Sequence, residues 1–279
     1  MIDYHIHTNH SIDAEGSLND YTQRAMALGL KEICFTNHCE LDKARNDNLI
    51  RFNGNIVPLT RETLINLQNE VMALKELFRK KGLKIRFGIE VGFFDGIEER
   101  LKNVIDGLTL DYVLAGIHCL DHICIDSSKE CETYFQKNNA QKLLENYFNI
   151  MELLIRSRLF DTVAHFDVYK KYGLNFYGEM IKEFDRERVY YLFKLMAEYG
   201  LGLEINTAGL RRYNQFYPSE DFMNLAKQAG IEIITIGSDC HKLDDLGNGI
   251  SQAVDYARLH KFFRIYGFEN RMRLPLDIC

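Results

Sequence analysis

The chain opens with "MIDYHIH", residues 1–7, and the reading of this stretch frames the rest. It has the look of a first strand that ends in two histidines. On a strand, residues i and i+2 share a face, so His5 and His7 present two imidazoles side by side. Such a pair suits a metal ion. Alone it is weak evidence, and the remaining sequence has to decide.

Six more short apolar runs follow: "EICFTNH" (32–38), "KIRFGIE" (84–90), "YVLAGIH" (112–118), "DTVAHFD" (161–167), "GLEIN" (202–206) and "IEIITIGSD" (231–239). Longer stretches of helical period lie between them: "LNDYTQRAMALGL" from 18, "TRETLINLQNEVMALKELFRKKG" from 60, "AQKLLENYFNIMELLIRS" from 140, "DRERVYYLFKLMAEYG" from 185 and "SEDFMNLAKQAG" from 219. Thr60 and Thr63 are candidate N-caps, and Gly29 and Gly82 suit helix ends. Strand alternating with helix predicts parallel strands with crossover helices. The chain has 279 residues, a length normal for an α/β barrel, and only three prolines. No Pro/Gly/Ser-rich linker divides it, so one domain over 1–279 is the economical reading. Segments 39–59, 119–138 and 207–219 read as loops that follow strands.

Bulk properties exclude some classes. Hydrophobic residues make up 46%, enough for a large core. The net charge of −6 argues against a general basic surface for nucleic acid. No run of about 18 apolar residues predicts a membrane span, and His5 and His7 occupy the place where a signal peptide would be removed. The seven cysteines form no CxxC, so reduced thiols in a cytoplasmic protein are expected. Cys39, Cys119 and Cys240 adjoin candidate ligands, but strand neighbours point to opposite faces.

Polar residues fall in register. His7, His38, Glu90, His118 and Asp239 end their runs, His165 lies near the end of its own, and His241 follows Asp239. Six of the seven runs therefore carry His, Asp or Glu at the carboxyl end, where the strands of a barrel converge on the active-site face. Imidazole and carboxylate suit Zn²⁺, Mn²⁺ and Fe²⁺. The ligands exceed the needs of one ion, which points to two or three ions and to phosphoryl hydrolysis. His122 and His260 lack this placement. His10 sits in the first loop, off a strand end.

The motifs "HIH" (5–7) with Asp13, "TNH" (36–38), "GIE" (88–90), "GIHCLD" (116–121), "AHFD" (164–167) and "GSDCH" (237–241) occur in this order. Together they resemble the polymerase-and-histidinol-phosphatase (PHP) superfamily from end to end. Within it, "DYHIHTNHSIDAEG", "EICFTNH" and "EINTAGLRR" are similar to the monofunctional L-histidinol-phosphate phosphatases. The resemblance implies a distorted (β/α)7 TIM-like barrel and hydrolysis of a small phosphate monoester by in-line attack of hydroxide on phosphorus. It also implies a grouping of ligands: His5, His7, Glu90 and Asp239 for one ion, Glu90 bridging to a second held by His118 and His165, and Asp13, His38 and His241 for a third. Glu90, Asp239 and His241 are the implied catalytic positions. Arg211 in "TAGLRR" and Lys171 in "AHFDVYKKYG" match positions that meet the substrate phosphate, with Arg212 expected to point elsewhere. Glu40, Asp42, Asp121 and Asp126 are acids placed to meet a cationic amine. A sibling phosphoesterase acting on another monoester or a nucleotide would carry the same ligand motifs. Oligomeric state is not encoded in these patterns.

Overall fold

The computed structural model describes residues 1–278. All seven apolar runs form strands: β1 (Ile2–Ile6), β2 (Glu32–Phe35), β3 (Lys84–Gly92), β4 (Tyr112–Gly116), β5 (Thr162–Val163), β6 (Gly202–Asn206) and β7 (Ile234–Gly237). They pair in parallel, in chain order. Backbone bonds from His7 N to Cys240 O (3.0 Å) and from Asp239 N to His5 O (2.8 Å) join the last strand to the first. The result is a nearly closed seven-stranded barrel ringed by helices. A two-residue strand, His38–Cys39, also pairs with β3 and sets His38 opposite Glu90.

The strands are short, apolar and buried on both faces, as parallel sheets require. Helices enclose them for identifiable reasons. Ser17 caps the helix Leu18–Ala27 in a reciprocal box with Asp20, and Thr60 caps Arg61–Phe78 with Thr63 as its box partner. Asn139 and Asp185 cap Ala140–Ser157 and Arg186–Tyr199 through side-chain oxygens.

Three hairpins depart from the sequence expectation, as do the short helices Cys131–Phe135 and Leu210–Tyr213 in segments read as loops. The loops 39–59 and 119–138 each contain a small antiparallel hairpin, Leu49–Phe52 with Asn55–Pro58 and Cys119–Leu120 with Ile123–Cys124. A further hairpin, β8 (Arg264–Glu269) with β9 (Met272–Asp277), follows the helix Ile250–Leu259. Its turn residues Asn270 and Arg271 both have positive φ, as a two-residue hairpin turn demands.

The last hairpin is anchored to the barrel by an ionic network that is buried at Arg86 and Glu32 and half-exposed at Glu269. Arg86 Nε lies 2.6 Å from Glu32 Oε1 and its Nη1 lies 2.6 Å from Glu269. The Tyr4 hydroxyl donates to the same Glu32 at 2.6 Å and accepts from Phe268 N at 2.8 Å. Arg86→Ala would strand Glu32 without its closest cation. The expected cost is about 3 kcal/mol, read as a lower urea midpoint at unchanged m-value; a midpoint equal to wild type would show that the network contributes nothing.

Candidate active site

The carboxyl ends of the strands bring the predicted residues to one place, with Glu90 at its centre. Glu90 Oε1 lies 2.8 Å from His165 Nε2, 3.2 Å from His118 Nε2 and 3.3 Å from His5 Nε2. Its Oε2 lies 2.9 Å from His38 Nδ1 and 3.3 Å from His7 Nε2. Asp239 Oδ1 sits 3.4 Å from His7 Nε2 and 3.5 Å from His241 Nδ1. Asp13 Oδ2 approaches His241 Nε2 at 3.3 Å and His38 Nε2 at 3.6 Å. His10 turns the other way, to Glu70 at 3.2 Å and the Thr8 hydroxyl at 3.0 Å. His122 bonds Asp42 on the outer hairpin and His260 bonds Asn224, both outside this cluster.

The arrangement fits metal ions. His5 Nε2, His7 Nε2, His38 Nδ1 and Glu90 Oε2 are buried without a hydrogen-bond partner, although they lie close to one another. Unpaired buried polar atoms are rare and need a cause, and convergent lone pairs awaiting a cation supply one. Four groups have ligand atoms within 4.8 Å of each other: His5–His7–Glu90, Glu90–His118–His165, His7–His38–His241 and His38–Glu40–His118.

Electrostatics agree. Burial alone would lower the pKa of His5, His38 and His118, but the surrounding carboxylates raise all three well above the usual imidazole value. Burial likewise opposes ionisation of Glu90 and Asp239, yet the histidines hold both well below the carboxylate range. His7 is pushed down to about 4, by burial first and then by His38 and His241. The backbone is strained at the same place: His165 (φ 27°) and Asp239 (φ 51°) occupy the left-handed region, which non-glycine residues adopt mainly where function demands it. Gly116 leaves room for the rings, since a Cβ there would stand 2.4 Å from His165 Cε1 and 2.9 Å from His118 Nε2.

Some partners lie in the recognised stretches, yet the sequence pattern assigns them no such role. Asn37 Oδ1 accepts from Thr8 N (2.8 Å) and from the Ser11 hydroxyl (3.1 Å), fixing the loop after β1. Glu204, in the run with no ligand at its end, bonds His5 Nδ1 at 2.7 Å. Glu40 bonds His118 Nδ1 at 2.6 Å. Alternation along "GLEIN" puts Glu204 on the opposite face from Leu203 and Ile205, and a charged residue amid that apolar run was the available clue.

A cleft of 560 Å³ opens over the cluster, lined by Glu40, Asp126, Lys171, Tyr172 and Arg212 among others. A smaller lobe of 320 Å³ continues past Arg211. A larger groove of 1010 Å³ between Phe135 and Arg188 shares none of these residues. Lys171 Nζ lies 3.6 Å from Asp126; burial would lower its pKa, but Asp126 and Asp239 raise it, so it stays charged. Arg211 donates to the Ser238 and Asp239 carbonyls at 2.8 and 2.9 Å, so part of its guanidinium is committed to bracing the Asp239 turn. Arg212 lies over the Tyr172 ring and lines both lobes, which departs from the expectation that it points elsewhere. Of the four acids considered for a cationic amine, Glu40 is engaged by His118, Asp42 by His122, and Asp121 sits in the turn of the small hairpin; Asp126 faces the cleft.

Comparison with known proteins follows the same line. The chain matches the PHP domain over residues 3–208. It is 30% identical over 261 residues to a protein named "Probable histidinol-phosphatase" from Deinococcus radiodurans, covering 92% of this chain and 93% of that one. It is 28% identical to the histidinol-phosphatase of Lactococcus lactis, covering 86% and 84%. A crystal structure of the Lactococcus lactis histidinol phosphate phosphatase, complexed with zinc, L-histidinol and phosphate, superposes with a TM-score of 0.78 at 23% identity over 98% of both chains. With these matches over most of its length, the chain belongs to the PHP domain family.

Proposed function

We propose that this protein hydrolyses L-histidinol phosphate to L-histidinol and phosphate, a step of histidine biosynthesis, and that the whole span 1–279 acts as one phosphoesterase domain. The observation that carries the reading is the carboxylate of Glu90 faced by five imidazoles beneath a cleft with Lys171, Arg211 and Arg212 at its mouth. End-to-end similarity to histidinol-phosphatases supports the substrate. The proposed centre holds two to three divalent ions, Zn²⁺, Mn²⁺ or Fe²⁺, through His5, His7, Asp13, His38, Glu90, His118, His165, Asp239 and His241. Such ions supply Lewis acidity toward phosphoryl oxygens and lower the pKa of the attacking water.

The chain's own side chains do the rest. Lys171 and Arg212 face the cleft as cations for the phosphate oxygens, Arg as a planar fork and Lys as a point charge. Asp126, which already pairs with Lys171, is the acid placed to receive a cationic amine. Free thiols at Cys34, Cys39, Cys119, Cys124, Cys131 and Cys240 support a cytoplasmic setting; Cys279 lies outside the described residues. No helix among the described residues is long and apolar enough to cross a membrane.

The test is a phosphatase assay of metal-replete protein against a panel of monoesters and nucleotides. L-Histidinol phosphate should lead the panel in kcat/KM by roughly tenfold or more; a nucleotide or another monoester leading by that margin would transfer the assignment to a sibling phosphoesterase.

The two adjacent arginines give a second prediction. Arg212→Ala should cost about 2–4 kcal/mol in kcat/KM at unchanged metal content, the scale of one lost transition-state donor. Arg211→Ala should lower activity and also loosen metal binding, because its donors hold the carbonyl of Asp239. Lys171→Ala should cost less than Arg212→Ala, being partly exposed and screened. Full activity in Arg212→Ala alongside normal metal content in a crippled Arg211→Ala would return the phosphate contact to Arg211.

A further inference from the structure

Six histidines surround Glu90 and Asp239, and they are not held alike. His7 Nδ1 meets only the Ser11 hydroxyl, at 3.2 Å. His241 Nδ1 meets the backbone carbonyl of Asp239 at 3.3 Å and, at 3.5 Å, the Asp239 carboxylate, itself one of the clustered acids. His165 Nδ1 has no partner. His38 turns its Nδ1 inward to Glu90. Of the six, only His5 and His118 have Nδ1 within close hydrogen-bond distance of a carboxylate other than Glu90 and Asp239: Glu204 at 2.7 Å and Glu40 at 2.6 Å. These two imidazoles belong to different ligand groups, His5–His7–Glu90 and Glu90–His118–His165, and His118 belongs also to His38–Glu40–His118, where the Glu40 carboxylate itself is within ligand distance.

We infer that Glu204 and Glu40 are positioning residues that tune separate ions of the centre, Glu204 through His5 and Glu40 through His118. An ionised carboxylate only accepts hydrogen bonds. The bonded Nδ1 must therefore carry the proton, and the lone pair is left on Nε2. In both histidines Nε2 is the atom that faces Glu90, at 3.3 and 3.2 Å. The carboxylate thus fixes the tautomer, holds the ring and raises its basicity toward a cation.

Both carboxylates sit in cradles made for them. A Cβ at Gly237 would fall 2.3 Å from His5 Cβ and 2.4 Å from Glu204 Oε1, and a Cβ at Gly92 would fall 2.0 Å from Glu40 Oε2. The two differ in how tightly they are fixed. Glu204 is buried, and its second oxygen accepts from His165 N (2.9 Å) and Asn206 Nδ2 (3.0 Å). Asn206 Nδ2 also reaches Asp239 Oδ2 at 3.2 Å, so one carboxylate registers ligands from three strands. Glu40 is partly exposed to the cleft. The ion behind Glu204 is accordingly the tighter and slower to exchange, and the ion behind Glu40 the more labile.

The test is Zn²⁺ titration of metal-free protein against a competing chromophoric chelator, with the melting temperature of the metal-free protein measured in parallel. Glu204→Gln and Glu40→Gln keep shape and one acceptor oxygen, which can still meet the imidazole Nδ1–H, but remove the charge and the second acceptor. Glu204→Gln should weaken the tighter class of Zn²⁺ sites by about 10–100-fold, and Glu40→Gln the weaker class by a similar factor, each leaving the other class and the metal-free melting temperature near wild type. Wild-type affinity in either variant, or both variants weakening the same class, overturns the inference. So does a lowered metal-free melting temperature with unchanged affinity, which marks a structural role only. Complete loss of the weaker class in Glu40→Gln would make Glu40 a direct ligand and overturn its positioning role. If Glu204→Gln fails to fold, the Glu40 arm decides alone, by the same criteria. These readouts involve no substrate, so they stand or fall apart from the proposed reaction.

Discussion

Glu90→Gln should lose at least one ion per chain and fall in activity by on the order of 10³-fold or more, the scale of removing a central electrostatic element. The substitution keeps shape and packing, so the fold should persist. What changes is charge at the point where strand ends converge. Glu90 approaches five imidazoles with its two oxygens, from 2.8 to 3.3 Å, and it is 1% exposed. No water can take its place. An amide offers one acceptor and turns two N–H donors toward nitrogens whose lone pairs are meant for a cation. Both groups that share Glu90 suffer together, because the same carboxylate serves each. Elemental analysis of the variant together with kcat checks this. Activity within about threefold of wild type, at full metal content, would show that Glu90 is no shared ligand.

The barrel was legible because parallel strands buried on both faces read as short apolar runs, and because helices between them carry their own period and caps. All seven runs became strands, and even the two-residue strand Thr162–Val163 was visible in "DTVAHFD". The clustered histidines and acids were legible for a related reason: a histidine or acid at the end of an apolar run has few cheap explanations. The hairpins at 49–58, 119–124 and 264–277 were not. They pair locally, pack on the outside or across the end of the barrel, and need only a turn with positive φ at positions such as Asn53, Asp121 and Asn270. None of those turns carries the Asn-Gly signal at full strength except "NG" at 53–54.

Side-chain direction was the larger gap. Arg211 and Arg212 are adjacent in a single short helical turn, Leu210–Tyr213, where consecutive residues point about 100° apart. Sequence alone fixes that they differ, not which one is committed to the Ser238 and Asp239 carbonyls. Glu40 read as a free acid because nothing in "HCEL" reveals that its carboxylate reaches across to His118 on another strand. Partners contributed by distant segments are the part of a site that periodicity does not encode.

Exhaustive chelation should abolish turnover, and Zn²⁺, Mn²⁺ or Fe²⁺ should restore it as the protein takes up between two and three ions per chain. Without ions, His5, His38 and His118 have pKa values raised well above the ordinary imidazole range by Glu204, Glu90, Asp13 and Glu40. That direction favours the protonated imidazole in the metal-free protein. Reloading must displace those protons, since a ligating imidazole needs its lone pair. Metal uptake should release protons, and the apparent affinity should rise with pH until these histidines titrate. Because ions bind the native state and not the unfolded chain, saturation at about 100 times Kd should add about 2.7 kcal/mol of stability per independent site, seen as a higher melting temperature in the loaded protein. Proton release is measured by running the calorimetric titration in buffers of different ionisation enthalpy. Full turnover by protein shown to be metal-free would refute the metal-dependent reaction. Uptake without proton release would show instead that these histidines are neutral before the ions arrive, so that Glu204 and Glu40 act on them by orientation alone.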